Sequence, residues 1–419
     1  MEMTTKVSRL IAVFVVFGCS LQLAFAQAPT APSKRLTLPE ARELALKTSG
    51  DLELGRLNAE AAEHAYKAQK KDYYPQFALS LDYIRLTKTL GDVFFTGGPQ
   101  PVPFPVLGQN ITFGTVMVAQ PLTELITVKA AVQATKADKE IAKSKLSAGA
   151  RDLQEGVTEL YYGLLGTQGM LAAAQLKVQA AESEAKTKNT TKASIALLDA
   201  QQALSQATSQ VILLSSELNG LVGFDPGTQL ELVNPAPPAP PVGSVKEAVS
   251  EAIANSHEIR QAKETISKAA AGLKIAKMRY VPSVNVMAGY AYLDGVEIFV
   301  EDQFGYAAVM LSYPIWQWGK RADLRNQSRS VLDLAEQNLK VTEGKVAIGA
   351  EKAYLAFMGA AESVQVNKSI VDLRNKDQQS VGDPATAAAL KTAEVDLVKA
   401  ELGYAVAHAK LVKAISGTY

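Results

Sequence analysis

The stretch RYVPSVNVMAGYAYL, Arg279–Leu293, alternates in character inside a chain that otherwise reads as alanine-rich helix. After Pro282, the residues Val284, Val286, Ala288, Tyr290 and Tyr292 fall on one side, and Ser283, Asn285, Met287, Gly289 and Ala291 on the other. That is the two-residue period of a β-strand. A near copy, DYYPQFALSLDYI at Asp72–Ile84, sets Phe77, Leu79, Leu81 and Tyr83 against Gln76, Ala78, Ser80 and Asp82. Each proline blocks the incoming helix and starts the strand, because the residue before proline is driven out of the α region. Partner strands are expected at ITFGTVMVAQ, Ile111–Gln120, and FGYAAVMLSY, Phe304–Tyr313. Each ends at a proline, Pro121 or Pro314, suited to the first turn of a following helix.

About ten residues is the length a tilted strand needs to cross bilayer hydrocarbon. Aromatic residues near strand ends suit the lipid interface, which makes Tyr290, Tyr292, Tyr313, Trp316 and Trp318 candidate interfacial anchors. Trp316 and Trp318 precede Lys320-Arg321, a pairing suited to that boundary; the alternative is a helix start packed at a subunit junction. The segment IRLTKTLGDVFFTGGPQPVPFPVLGQN is glycine- and proline-rich, as external barrel loops are, and DGVEIFVEDQF is short and acidic. Four strands cannot close a membrane barrel, since the smallest need about eight and an open edge in lipid leaves backbone groups unpaired. Several chains must therefore pool their strands. A soluble two-hairpin sheet packed on helices is the competing reading.

The pattern occurs twice because the chain is duplicated. LTLPEARELALKTSGDLEL, Leu36–Leu54, and SVKEAVSEAIANSHEIRQA, Ser244–Ala262, both open with a cap-like hydroxyl residue, an acidic residue three on, and an apolar helical period. Ala41 to Pro75 and Ala248 to Pro282 have the same separation, so the halves are offset by 207 (248 − 41). Further on, Pro121 pairs with Pro314, Tyr161 with Tyr354, Ala200 with Ala393, Leu204 with Leu397 and Ala207 with Ala400, at an offset of 193 (314 − 121). The difference, 14 residues (207 − 193), lies between the strands of the first half. Each half reads helix, strand, loop, strand, long helix, turn, long helix. The organisation expected is 1–26 signal peptide, 27–224 first repeat, 225–243 stiff proline-rich linker and 244–419 second repeat.

From Leu122 to about Lys186, and from Ile315 to about Gln378, few residues break helix. At 1.5 Å per residue such runs reach roughly 90 to 100 Å. They are read as antiparallel coiled-coil rods, with Ala, Ser, Leu and Val at contact positions allowing close approach. The rods fold back near KTKNTTKAS, Lys186–Ser194, and QSVGDPATA, Gln379–Ala387. Tyr161, Tyr162 and Tyr354, at matched positions in the rods, are expected to pack in the core.

Other chemistry finds little support. The 419 residues carry a net charge of +1, which gives no electrostatic call for nucleic acid. Lys6 and Arg9, the apolar run LIAVFVVF and the small-x-small Ala24-Phe25-Ala26 read as an export signal. Cleavage after Ala26 would remove Cys19, the only cysteine, and with it any disulfide or thiolate metal site; lipidation of Cys19 is one alternative, and an uncleaved anchor, short for a bilayer span and carrying Gln22, the other. His64, His257 and His408 are far apart and lack ligands at helical spacing, so neither metal nor cofactor is expected. No phosphate-cradling loop or nucleophile elbow is present, and the chain is not read as an enzyme.

The chain resembles the TolC-like outer-membrane efflux protein family. The resemblance is carried by LTLPEARELAL, by YYPQFALSL and YVPSVNVMA, by VAQPLTE and LSYPIWQWGKR, by LLDAQQALSQA echoed as LKTAEVDLVKA, and by Gly223 and Gly417 near the end of each half. It implies a mainly α protein with a membrane β-barrel, in which a homotrimer pools four strands per protomer into one twelve-stranded barrel. The barrel sits in the outer-membrane lipid of a Gram-negative cell and the helices extend into the periplasm. Such proteins are passive exit ducts of tripartite efflux or type I secretion systems, docking by their hairpin tips onto a periplasmic adaptor and an inner-membrane transporter of RND, ABC or MFS type. The candidate entrance and docking tips here are Lys188, Asn189, Thr190, Lys192, Val381, Gly382, Asp383 and Pro384. Family members commonly carry an acidic D-x-L-x-A pattern after each tip, but this chain has Ala196 and Ala389 at the aligned positions. Asp383 is the substitute candidate for an entrance carboxylate, set against an ordinary capping or turn aspartate beside Pro384. The competing reading is a periplasmic coiled-coil structural or adaptor-like protein without a pore.

Overall fold

A computed structural model of the chain describes residues 33–95, 102–188, 190–296, 301–381 and 384–416. The export-signal reading, Cys19, Asn189, Gly382, Asp383 and Gly417 lie outside these residues. The chain divides into two compact units, Met1–Leu44 with Gly163–Ala236, and Ala45–Tyr162 with Pro237–Tyr419.

In chain order the elements are β1 (Lys34–Leu36), α1 (Leu38–Thr48), α2 (Gly50–Lys71), β2 (Gln76–Arg85), β3 (Leu90–Phe95), β4 (Val102–Pro121), α3 (Glu124–Lys188) and α4 (Thr191–Val222). The second half follows with β5 (Leu230–Leu232), α5 (Val245–Asn255), α6 (His257–Met278), β6 (Ser283–Val296), β7 (Gln303–Ser312), α7 (Lys320–Val381) and α8 (Pro384–Ile415). The duplication is written in the helix bounds. α1 and α5 each have 11 residues, α2 and α6 each 22, and both pairs are offset by 207 (245 − 38, 257 − 50). α4 and α8 each have 32 residues at an offset of 193 (384 − 191).

Matched caps explain why the breaks fall where they do. Thr37 and Glu40 form a reciprocal capping box, in which the Thr37 N–H donates to Glu40 Oε2 at 2.9 Å and the Glu40 N–H donates to Thr37 Oγ1 at 3.4 Å. Hydrogen bonds from the Thr37 hydroxyl and backbone hold the Glu40 carboxyl below its ordinary pKa. Ser49 and Ser256, again 207 apart (256 − 49), cap α2 and α6 by accepting from the amides of Leu52 and Ile259. Ser256→Ala leaves that buried amide without its acceptor and is expected to cost about 1 kcal/mol in denaturant unfolding of the helical part.

In the unit that holds the second repeat, Val242, Ala248, Tyr354, Phe357, Ala407, Leu411 and Ile415 form one apolar cluster between α5, α7 and α8. The proline-rich segment is strapped across it. Tyr354 and Tyr404 donate their hydroxyls to the carbonyls of Gly243 (3.2 Å) and Pro238 (3.0 Å), and His408 Nε2 lies 3.0 Å from the Ala239 carbonyl. In the other unit β1 and β5 pair in parallel, Lys34 with Leu230 through Leu36 with Leu232, and Lys34 lies over the Phe224 ring. Three-residue strands carry too little periodicity to be read from sequence, and neither was expected.

An ionic cluster ties α3 to α6 and α8. Arg151, itself buried, donates to Glu258 Oε1 at 2.8 Å and to the Lys413 carbonyl at 3.4 Å. Lys413 in turn lies 3.0 Å from Asp152 and bonds Glu155, while Lys410 pairs with Glu159 at 2.7 Å. Burial pushes the Glu258 carboxyl up, but hydrogen bonds from Ser256 and Arg151 outweigh it and the net shift is downward. For Lys413 burial pulls down, while Glu155 and Asp152 raise it above the ordinary lysine value. Glu258 therefore stabilises the fold above the ordinary glutamate pKa of about 4.3, and that stabilisation is lost as pH falls through its depressed native value. Glu258→Gln is expected to lower the midpoint of helix melting at pH 7, and the difference from wild type to shrink as the pH falls through the depressed native value of the carboxyl; circular dichroism across the acid range measures this.

Candidate functional site

The sheet that answers the opening stretch runs in the order β2-β4-β6-β7, all neighbours antiparallel. β3 pairs with β4 off this path, from Leu90 opposite Leu107 to Phe95 opposite Val102. The segment read as a loop thus carries a further strand, and β4 starts at Val102 rather than near Ile111. Prolines at 103 and 105 hide the alternation that would have marked it.

The register aligns one side chain from each strand in rows. Phe77, Val118, Ala288 and Ala307 form one row, Leu79, Val116, Tyr290 and Gly305 the next. Toward the junctions with the helices, Gln120, Val286 and Val309 continue the same face. This face is apolar nearly throughout and bare: Phe77 is 82% and Leu79 78% exposed. An apolar sheet face of this width has no place in water. The opposite face carries Ser80, Thr115, Ala291 and Phe304, then Ala78, Met117, Gly289 and Tyr306. Here Thr115 and Ala291 are buried and the side chains are small or polar in the middle of the sheet.

Two glycines of β6 are required by close approach. A Cβ on Gly289 would lie 2.8 Å from both the Val116 carbonyl and the Tyr306 hydroxyl. Gly295 has φ +86, and a Cβ there would meet the Asn110 carbonyl at 2.0 Å, at the place where the β4–β6 register shifts. Gly295 thus lets the strands realign where β4 bulges.

All four junctions with the helices lie at one end of the sheet, since Gln76 pairs with Ala119, Pro121 with Asn285, and Ser283 with Ser312. Two of these junctions differ from expectation. Pro121 closes β4 instead of opening α3; the ladder continues past it, with the Leu122 N–H donating to the Val284 carbonyl (2.8 Å) and the Val284 N–H to Thr123 Oγ1 (3.1 Å). Nor does Pro314 open α7, because Trp318 (φ 50) and Gly319 (φ 82) make a left-handed turn and the helix waits until Lys320.

The five candidate anchors separate into two groups. Tyr313, Trp316 and Trp318 lie at the helix end of the sheet, the two indoles edge to face at 5.8 Å. Tyr290 and Tyr292 lie seven and nine residues along β6 from Ser283, about 23 to 30 Å at strand rise, and Tyr290 donates its hydroxyl to Gln303. The two groups therefore stand apart along the strands, with the apolar rows of Val286 and of Phe77 between them.

At the first fold-back, α3 ends at Lys188 and Thr190 caps α4, its Oγ1 accepting from the Ala193 N–H, with Lys192 exposed beside it. At the second, α7 ends at Val381 and Pro384 takes the first position of α8. Ala196 is exposed and Ala389 half-buried, and nearby Lys391 pairs with Glu394 at 2.8 Å. Tyr161, Tyr162 and Tyr354 are buried. Among the described residues no group of three His, Cys, Asp or Glu side chains could hold a metal, and no helix is long and apolar enough to cross a membrane.

One-sided apolar strands feeding long helices are the design of an outer-membrane protein with a helical part outside the lipid. The family profile described as outer membrane efflux protein matches residues 41–223 and 248–381, and the chain belongs to that family. It is an outer-membrane protein with a periplasmic helical part, in a family of efflux channels rather than enzymes. Among solved structures the chain is similar to CusC, with 13% identity, TM-score 0.72, and 90% of this chain and 92% of that one covered. It is also similar to the CmeC outer membrane channel of Campylobacter jejuni (15%, 0.69, 91% and 86%) and to the outer membrane protein VceC of Vibrio cholerae (13%, 0.69, 91% and 96%). A sequence comparison with curated proteins finds no match.

Proposed function

We propose that three copies join their β2 and β7 edges to close one twelve-stranded barrel, and that the trimer is the passive outer-membrane exit duct of a tripartite efflux or type I secretion assembly. The observation that carries this is a four-strand path with an apolar outer face and no strand paired to either edge among the described residues. In lipid those edge groups need partners, and too few strands are present to supply them within one chain. The helices support the same assembly. Leu334, Val341, Ile348 and Leu355 recur every seven residues along α7 and stay exposed, while Leu332, Ala335, Tyr354 and Phe357 of the same helix are buried. A heptad stripe left bare on a helix already packed on its other side is a seam for a further helix, here one of a neighbouring copy.

In this assembly Tyr290 and Tyr292 mark one lipid boundary, and Tyr313, Trp316 and Trp318 the other. The turns at Lys188–Lys192 and Val381–Pro384 meet a periplasmic adaptor and, through it, an inner-membrane transporter. Native mass spectrometry in detergent together with planar-bilayer recording tests the reading. A trimer with stepwise conductance is expected; a water-soluble monomer giving no conductance would favour the pore-less coiled-coil reading and overturn this one.

A further inference from the structure

The helix end of the sheet carries more than aromatic anchors. The Arg321 guanidinium sits 4.5 Å from the Tyr313 ring centroid, donates to the Tyr313 hydroxyl at 2.7 Å and also bonds the Pro314 carbonyl. Four residues on, Arg325 lies over the Tyr280 ring, 5.9 Å from its centroid, at the α6–β6 junction. The same start of α7 therefore repeats one device, arginine on tyrosine, at two strand ends. Arg279 and Lys320 flank these pairs and are exposed. The nearby carboxylates at this end, Asp72, Glu124 and Asp323, are fewer than the cations Lys70, Lys71, Lys277, Arg279, Lys320, Arg321 and Arg325 on the same turns. Trp318 adds an independent sign: a tryptophan at φ 50, 86% exposed, is held in a conformation that favours glycine. Such strain persists where surrounding structure or function requires it.

Resting on the barrel reading above, we infer that this collar binds the anionic phospholipid headgroups of the leaflet on the helix side of the barrel. The arginines and Lys320 meet phosphate, and the indoles lie in the headgroup layer. The collar is continuous with the apolar face of the strands, so headgroups arrive wherever the acyl chains cover that face. Its positive charge is what distinguishes anionic from zwitterionic lipid.

The test uses the full-length trimer in nanodiscs of phosphatidylcholine, alone or mixed with phosphatidylglycerol. Wild type is compared with an Arg279→Gln, Lys320→Gln, Arg325→Gln triple variant, which leaves the Arg321 bonds in place. Wild type is expected to retain phosphatidylglycerol over phosphatidylcholine several-fold by native mass spectrometry, and to dissociate at higher temperature in the mixed discs. The variant should lose most of both differences while conducting like wild type in neutral lipid. An undiminished preference in the variant, or no preference in wild type, overturns the inference. So does an equal loss of trimer stability in both lipids, which would mean that the cations pack against a neighbouring subunit. Conductance in neutral lipid reports on the barrel reading separately: its absence in wild type would refute the duct, whereas its presence without lipid preference would refute only the collar.

Discussion

Leu79→Arg is expected to abolish appearance of the trimer in the outer membrane. Leu79 stands in the row with Val116, Tyr290 and Gly305, within the bare apolar face and away from both strand ends. An arginine facing lipid costs about 2–4 kcal/mol at the bilayer midplane and about 1 kcal/mol or less at a boundary; Leu79 lies between the two, on the Tyr290 side, so three copies cost roughly 3–9 kcal/mol per barrel. The upper part of that range matches the whole stability of many folded proteins. Membrane fractionation followed by semi-native electrophoresis reads the result. Ser80→Arg is the control, one residue along and on the other face, opposite Thr115. It should insert, because in the proposed closed barrel an arginine there faces the lumen. Wild-type levels of Leu79→Arg in the membrane would show that the face meets something other than hydrocarbon.

Gly289→Val should be nearly as damaging for a different reason. Its Cβ would stand 2.8 Å from the Val116 carbonyl, a backbone atom in the β4–β6 ladder that cannot withdraw without breaking the pairing. The Tyr306 ring laid across Gly289 would have to move as well. Overpacking at such a site costs about 3 kcal/mol, and the trimer carries it three times. The fraction surviving as trimer after mild heating in detergent should fall sharply. Gly305→Ala on β7 should be mild, since the nearest atom to its added Cβ is the Gly289 carbonyl at 3.8 Å. Adding Tyr306→Ala to the Gly289 variant should restore little, because the Val116 carbonyl remains in the way.

The sequence carried much of this architecture because its signals were long or repeated. Two prolines, Pro75 and Pro282, each followed by clean alternation, located β2 and β6; the paired caps Ser49 and Ser256 keep the offset visible in the helix bounds. What escaped was local. β1 and β5 have three residues each, and β3 with the start of β4 lies where prolines interrupt the pattern. Pro121 and Pro314 were legible as breakers but not as to side: the first stands inside the end of a ladder whose next bond comes from the Leu122 N–H, so its own missing N–H does no harm, and the second precedes a left-handed turn. The sheet face was readable as apolar residue by residue, but the split of the five anchors between two ends depends on register. At the tips, Thr190 and Pro384 show ordinary helix-capping chemistry, and a docking role there rests on the family resemblance alone.

The exposed heptad stripe of α7 has a consequence for the life of the newly exported polypeptide. Before it meets its sisters, each molecule presents two greasy surfaces at once, that stripe and the strand face, with raw β-edges beside them. Both invite clumping with any other unfinished chain. For the proposed trimer, passage between the two membranes is a race between threefold encounter and aggregation, and a periplasmic holdase that shields these surfaces should raise the yield of assembled protein more than any change in synthesis rate.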